Sequence, residues 1–135
     1  MSHFTTVETK INDLVCLKRA LEDLGLLFEE ATATQLVTVN GWRGAKSLAD
    51  MSIHATNQYD IGVRQNVDGT YGLTADWWAI NEQLGEEENS TKLQQKIIQR
   101  YAFHKAKTEA EKQGFTIDEE AVEADGTIKM TVSRF

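Results

Sequence analysis

Two segments with the periodicity of an amphipathic helix enclose a series of shorter strand-like segments, and this order most strongly limits the fold. Apolar residues recur every three or four positions over 11–24 and again over 93–106, which places them on one side of a helix. The intervening residues 35–78 form short stretches rich in β-branched and aromatic side chains, separated by Asn-Gly and Asp-Gly turns. The pattern predicts two main helices with antiparallel strands between them.

Capping residues predict where the two helices begin and end. Thr9 is a suitable N-cap for the first helix, and Gly25 lies where a left-handed residue ends one. Ser90 or Thr91 is expected to be the N-cap of the second helix, and Gly114 is expected to end it. The chain contains no proline, so glycine marks most of the predicted element boundaries.

The remaining segments predict the strands of a single domain. We expect strands at 3–9, 35–39, 48–55, 59–65 and 71–78, and a final hairpin of 115–123 and 127–134 that turns at Asp125-Gly126. The predicted fold is α+β, an antiparallel-rich sheet of about six to seven strands with two main helices packed on one face. A chain of 135 residues has room for one such domain, over 1–135.

The overall charge and the apolar runs exclude several classes of protein. Fourteen basic and 21 acidic residues give a net charge of −7, which argues against binding to a nucleic-acid backbone. No stretch is long and apolar enough to predict a membrane span, and the acidic amino-terminal segment resembles neither a secretory signal nor a transit peptide. The single cysteine, Cys16, excludes an internal disulfide. We therefore expect a cytosolic or stromal protein.

The charge is unevenly distributed along the chain. Residues 31–74 contain three acidic and three basic side chains, so the flanking segments carry the whole net charge. A neutral surface that bears aromatic side chains on an acidic protein is a plausible contact face. Buried strands alone also produce a neutral window, and this explanation is favoured.

No arrangement of residues in the sequence is typical of a catalytic or metal site. A glycine-rich phosphate loop and a nucleophile elbow are both missing, and Cys16 lies in a predicted helix with no histidine nearby in the sequence. The three histidines, His3, His54 and His104, do not share the spacing of metal ligands. The sequence therefore predicts no catalytic residues, metal or cofactor, and it favours a protein that is not an enzyme while leaving that question open.

Two segments are candidates for contact with a protein partner. The first is the predicted turn at Trp42 and Arg43, because Trp and Arg are enriched at binding hot spots. The second is Trp77 and Trp78 at the end of a predicted strand, where adjacent side chains point to opposite faces. One tryptophan would then enter the core while the other stays available to a partner; burial of both under helices or loops is the alternative.

A different interpretation places a ligand pocket between the sheet and the helices. Arg43, His54, Arg64 and Asp76 would line it, and their arginine and histidine side chains would suit an anionic metabolite.

A family resemblance rests on the order of several motifs over nearly the whole chain. The motifs are Met1-Ser2-His3-Phe4, the leucine-rich helix 11–24, Val39-Asn40-Gly41-Trp42-Arg43-Gly44, Tyr59-Asp60-Ile61-Gly62, Asp68-Gly69-x-Tyr71, Ala75-Asp76-Trp77-Trp78, Gln99-Arg100-Tyr101-Ala102-x-His104, Gln113-Gly114-Phe115 and Asp125-Gly126-Thr127-Ile128. In this order they resemble the Ycf thirty-five (Ycf35) family of cyanobacterial and plastid reading frames, a domain of unknown function. The resemblance implies a cyanobacterial cytosol or plastid stroma, and it brings no known activity, cofactor or catalytic residue.

Taken together, these observations favour a non-enzymatic adaptor, assembly or regulatory factor of a photosynthetic cell that binds a protein partner. The alternative function is a small-molecule binding protein or enzyme with an anionic ligand. The oligomeric state stays open.

Overall fold

The computed structural model describes residues 3–122 and 127–134, which form nine strands and three helices. The strands are β1 (Thr5–Glu8), β2 (Phe28–Glu30), β3 (Val37–Asn40), β4 (Lys46–Ala49), β5 (Met51–His54), β6 (Asp60–Gln65), β7 (Tyr71–Ala75), β8 (Phe115–Val122) and β9 (Ile128–Arg134). The helices are α1 (Leu14–Asp23), α2 (Trp77–Leu84) and α3 (Ser90–Lys112). The α+β class with two main helices is confirmed, and α2 is an additional short helix.

The strands are divided among three antiparallel sheets. The main sheet has five strands in the order β1-β7-β6-β5-β2, and the pairs β3-β4 and β8-β9 form separate two-stranded sheets. In the main sheet Ile53 lies opposite Ile61, and Ile61 lies opposite Ala75 on its other side. The predicted final hairpin is confirmed as β8 and β9, and its turn at Asp125-Gly126 lies outside the described residues.

The hydrophobic core lies between the main sheet and the helices α1 and α3. Alternate residues of β5, β6 and β7 point to this side, as expected for strands with one face covered. Its fully or almost fully buried members are Ile11, Cys16, Leu17, Ala20, Leu21, Met51, Ile53, Ile61, Val63, Tyr71, Leu73, Ala75, Ile80, Ile97 and Tyr101. Burial of this apolar surface is the main stabilising contribution to such a domain.

The β3-β4 hairpin covers the opposite face of the main sheet. A Cβ atom on Gly62 of β6 would come within 2.7 Å of Val39 Cγ2 and 3.1 Å of Ala49 Cβ. The missing side chain of Gly62 is therefore what allows the hairpin to approach the sheet so closely. The sheet lies between a helical layer and a small strand layer, and this arrangement carries the turn between β3 and β4 to one end of the sheet.

The predicted strand 48–55 is two strands that belong to different sheets. β4 pairs with β3, whereas β5 pairs with β6, and Asp50 lies between them. The Asp50 carboxylate accepts a hydrogen bond of 2.8 Å from the backbone N of Gln65. Its backbone N donates to the Val63 carbonyl at 3.0 Å, so the chain stays bonded to the main sheet as it leaves the hairpin.

The N-caps of α1 and α3 are not the predicted residues, because neighbouring side chains cap these helices better. Asp13 is the N-cap of α1, and the predicted cap, Thr9, instead donates from its hydroxyl to the Tyr71 carbonyl at 2.6 Å. Asn89 is the N-cap of α3 and accepts a hydrogen bond of 3.0 Å from the backbone N of Lys92. A carboxylate or amide oxygen caps a helix at least as well as a hydroxyl.

Candidate functional site

Two buried aspartates lie side by side at one end of the main sheet. Asp60 is the first residue of β6 and Asp76 directly follows β7, and Ile61 lies opposite Ala75, so the aspartates continue the same pair of strands. Asp60 is 3% exposed and Asp76 is 1% exposed. Carboxylates buried this deeply need several hydrogen-bond donors, and most of theirs come from outside the main sheet.

Most of the donors belong to the β3-β4 hairpin, at Asn40, the last residue of β3, and in the turn that follows, whose central residues are Trp42–Gly44. The Asp60 Oδ2 atom accepts hydrogen bonds of 2.8 Å from both the backbone N and the side-chain Nδ2 of Asn40. The Asp76 Oδ2 atom accepts from the backbone N of Trp42 at 3.1 Å. Two buried charges thus hold the turn on the sheet end, with charge-assisted hydrogen bonds.

Asp76 also fixes the start of helix α2. Its Oδ1 atom accepts a hydrogen bond of 3.2 Å from the backbone N of Ala79, which makes Asp76 the N-cap. The prediction that Trp77 and Trp78 end a strand is therefore wrong: the strand stops at Ala75 and both tryptophans lie in the first turn of a helix. The carboxylate of an N-cap aspartate accepts a hydrogen bond from an N–H group in the first turn of a helix, which otherwise has no partner within the helix.

The two tryptophans of α2 point in different directions. Trp77 is partly buried, and its indole Nε1 donates to the Thr5 carbonyl of β1 at 3.0 Å. Trp78 is 47% exposed, and its ring meets that of Trp42 edge to face, with centroids 5.7 Å apart and an interplanar angle of 79°. This is a favoured geometry for an aromatic pair, so the structure joins Trp42 and Trp78 but directs Trp77 elsewhere.

Arg43 completes this surface in a strained backbone conformation. Its φ and ψ angles are 54° and 41°, and it is the one non-glycine residue with positive φ in the described chain. The guanidinium carbon lies 4.1 Å from the centroid of the Trp42 ring, the distance of a cation–π contact. We call the exposed surface formed by Trp42, Arg43 and Trp78 the Trp–Arg surface.

Gly41 allows the turn to pack closely on the sheet end. A Cβ atom at this position would lie 2.8 Å from Phe4 Cζ and 3.3 Å from Asp76 Cβ. Any side chain would therefore push the turn away from the carboxylate that holds Trp42. Phe4 precedes β1, so the start of the chain also helps to enclose the buried end of the turn.

Of the four residues predicted to line an anion pocket, the structure places His54, Asp76 and Arg43 at this sheet end and Arg64 apart from them. His54 lies at the same sheet end as Asp76, and its Nδ1 atom is 2.8 Å from Asp60 Oδ1. Arg64 is exposed near the other end of β6, and Arg43 lies in the turn above the buried Asp76. Four grooves on the described surface are lined by other residues, so the structure brings these four side chains into none of them.

Asp60 and Asn40 are the site residues that sequence reasoning missed. The available signal was a single acid placed at the start of the apolar stretch of β6, within a neutral window of the sequence. A buried acid in a strand usually has a dedicated set of donors. Lys46 extends the network, since its Nζ atom donates to Asn40 Oδ1 at 2.8 Å.

A second cluster of charged residues joins the two main helices. Asp23 Oδ2 at the end of α1 accepts from Arg100 Nε at 2.9 Å, and it lies 2.6 Å from His104 Nε2, both on α3. Burial raises the pKa of the Asp23 carboxyl, but the hydrogen bonds from His104 and Arg100 outweigh it and lower this pKa below its usual value. Arg100 also lies over the Phe103 ring, 4.4 Å from its centroid.

The described residues contain neither a cluster of potential metal ligands nor a helix that could span a membrane. Among residues 3–122 and 127–134, no three or more His, Cys, Asp and Glu side chains lie close enough together to hold a metal ion. Over the same ranges, no helix has both the length and the apolar character needed to cross a bilayer.

The fold and this sheet end define a small α+β domain with an aromatic turn held on two buried carboxylates. Residues 20–131 match the family described as a protein of unknown function (DUF1257). Aligned over 100% of its length, the chain is 36% identical to the uncharacterized protein ycf35 of Pyropia yezoensis and 33% identical to that of Cyanophora paradoxa, covering 98% of each. The corresponding protein of Guillardia theta is 31% identical, again over 100% of this chain and 98% of that protein. The chain therefore belongs to the Ycf35 family, which confirms the resemblance. No solved structure matches it significantly.

Proposed function

We propose that this protein is a non-enzymatic binding protein, an adaptor or an assembly or regulatory factor, that contacts a protein partner through the Trp–Arg surface. Its setting would be a cyanobacterial cytosol or a plastid stroma, in keeping with relatives from plastid-bearing algae. A protein partner is favoured over a nucleic acid because the net charge is −7.

The observation that carries this proposal is the exposure of Trp78. Its side chain is 47% exposed, although the next two residues of α2, Ala79 and Ile80, are buried almost completely. Burial of apolar surface contributes about 25 cal/mol of favourable free energy per Å², and the exposed part of the indole ring does not make this contribution. A partner that covered the ring would recover this free energy.

The fixed geometry of the surface also supports binding. Asp76 ties the turn of Trp42 and the helix of Trp78 to a single carboxylate, so the two rings keep their mutual orientation. A rigid contact surface loses little conformational entropy when a partner binds. Aromatic and arginine side chains arranged in this way are typical of hot spots.

Capture of partners from a photosynthetic host tests the proposal. Tagged wild-type protein would be compared with Trp78→Ala and Trp42→Ala, and the captured proteins would be quantified by mass spectrometry. If either ring is a hot spot worth about 2 kcal/mol, its variant should bind the partner at least ~10-fold more weakly.

Val67→Ala is the matched control, because Val67 is fully exposed in the turn between β6 and β7, at the opposite end of these strands from Asp60 and Asp76. Its captured proteins should equal those of the wild type. Unchanged capture by both tryptophan variants, with their melting temperatures close to that of the wild type, would disprove the proposed surface.

A second candidate function, binding of an anionic metabolite, is favoured by one observation. The imidazole of His54 is 37% exposed and is oriented by the buried Asp60, an arrangement that can present the outer ring nitrogen to a ligand. A thermal-shift screen with anionic metabolites tests it, since a specific ligand raises the melting temperature by mass action. A shift that persists in His54→Ala would exclude this site.

A further inference from the structure

The free hydrogen-bonding groups of Arg43 indicate the chemistry of the partner. Among the residues that the structure describes, no hydrogen bond or ion pair involves its guanidinium group. Its central carbon lies 4.1 Å from the centroid of the Trp42 ring, and because Arg43 is exposed its N–H groups can be reached by a partner. A stacked guanidinium has already lost much of its freedom, so it is prepared to bind an oxyanion with two parallel hydrogen bonds.

We propose, on the basis of the proposed function, that the partner contributes an acidic segment. An Asp or Glu carboxylate of this segment pairs with Arg43, and a neighbouring aromatic or aliphatic side chain covers the exposed part of Trp78. The segment thereby bonds to the N–H donors of Arg43 and covers the exposed part of the Trp78 ring.

A carboxylate fits this surface better than a phosphate group. Recognition of phosphorylated segments relies on clusters of arginines, and this surface offers the single guanidinium of Arg43. The nearest cation along the same hairpin, Lys46, already donates to Asn40. One bidentate arginine matches the charge of one carboxylate, whereas a phosphate group of nearly two negative charges would be only half neutralised.

The charges around the surface also orient the segment. Glu82 is exposed and lies one helical turn after Trp78, on the same side of α2. Its negative charge disfavours a second carboxylate at that end. The acidic residue of the partner is therefore expected over Arg43 and its apolar residue over Trp78, rather than the reverse.

Selection from a random peptide library on the whole protein tests this inference. We expect the enriched peptides to combine Asp or Glu with a nearby aromatic or aliphatic residue. Binding measured by fluorescence anisotropy should weaken at least ~10-fold in Arg43→Gln, and similarly when the peptide acid is replaced by its amide. Glu82→Gln should strengthen binding slightly, and binding should weaken as salt concentration rises.

Arg64→Gln is the matched control, because Arg64 is an exposed arginine near the other end of β6. It should bind the enriched peptides as the wild type does. Arg43→Lys keeps the positive charge but loses the planar fork, so it should bind at a level between wild type and Arg43→Gln.

Three results would overturn the inference. Peptides that require Trp78 but neither Arg43 nor an acid would disprove the acidic segment and leave the proposed binding surface in place. Peptides that bind more tightly when phosphoserine replaces the acid would assign the surface to phosphorylated partners. A selection that yields no peptide dependent on Trp42 or Trp78 would overturn the inference, and the capture experiment would then decide separately whether the surface itself fails.

Discussion

At the sheet end and at the α1–α3 junction, aspartate carboxylates accept several hydrogen bonds. The two regions differ in the burial of these aspartates and in the kind of group that donates to them. At the sheet end, Asp60 and Asp76 are buried and their donors are mainly backbone N–H groups of the β3-β4 hairpin and of helix α2. At the junction, Asp23 is 36% exposed and is satisfied by the side chains of Arg100 and His104. The first arrangement positions a surface, whereas the second links two helices.

The two arginines show the same difference. Arg43 and Arg100 both lie over an aromatic ring, at 4.1 Å from Trp42 and 4.4 Å from Phe103. Arg100 is bonded to Asp23 in addition, while Arg43 keeps its donors and a strained backbone. Backbone strain at an exposed residue is a ground for a hypothesis of function, and at Arg43 it supports the proposed contact with a partner.

The largest expected effect on stability belongs to Asp76→Ala. This change leaves the backbone N–H groups of Trp42 and Ala79 without their acceptor and removes the N-cap of α2, which should cost about 2–4 kcal/mol. Urea unfolding followed by tryptophan fluorescence measures the loss. Asp68→Ala is the control, because Asp68 is exposed and bonds only within its own turn to Thr70; equal losses for the two variants would show that the buried anchor is unimportant.

A smaller effect is expected at the α1–α3 junction. Asp23→Asn should lower the free energy of unfolding by about 0.5–1 kcal/mol at neutral pH, because the pair is partly exposed and screened by solvent. Arg100→Ala should cost a similar amount. If Asp23→Asn lowered the free energy of unfolding as much as Asp76→Ala does, the two aspartates would not differ in their contribution to stability.

The contribution of Asp23 should also depend on pH in a defined direction. Its pKa is lowered in the folded protein by the bonds from His104 and Arg100, against the opposing effect of burial. The contribution is therefore fully present above the pKa of the unfolded carboxyl, near pH 4, and is lost as the pH falls through the folded pKa. The urea midpoints of wild type and Asp23→Asn should converge in acid; a difference that grows in acid would contradict this assignment.

The smallest expected effect on stability is that of Arg43→Gly. Glycine adopts the left-handed conformation without the cost of about 1–2 kcal/mol that a side chain incurs, while the lost contact with Trp42 is worth roughly 0.5–1 kcal/mol. Glycine also loses about 0.5–1 kcal/mol more conformational entropy on folding, so the free energy of unfolding of the variant should stay within about 1 kcal/mol of the wild-type value. A clear loss of stability in urea would show that Arg43 supports the fold.

Local signals in the sequence predicted the parts of the fold that depend on local interactions. The two main helices and the final hairpin are confirmed, and Gly25 and Gly114 end their helices with φ angles of 70° and 87°. The first strand was also predicted, but its place beside β7 was not, because that pairing joins residues far apart in the sequence.

The candidate site could be predicted only in part for the same physical reason. Trp42, Arg43 and Trp78 were selected as hot-spot residue types, and the structure brings them together, although their role in binding stays a prediction. The hydrogen bonds that hold the turn on Asp60 and Asp76 could not be predicted, because they join residues far apart in the sequence. Asp60 and Asn40 are 20 residues apart, and Asp76 and Trp42 are 34 apart. Trp77 and Trp78 suggested a strand because bulky aromatic residues favour strands. In the structure they begin a helix instead, because Asp76 is its N-cap.

Partner capture with Arg43→Gly tests most directly whether the sheet end serves contact rather than stability. Tagged wild-type and variant proteins would be expressed at equal levels in a photosynthetic host, and their captured proteins would be quantified. We predict that the variant, although about as stable as the wild type, loses most of the partner. Full retention of every captured protein by this variant would contradict the account.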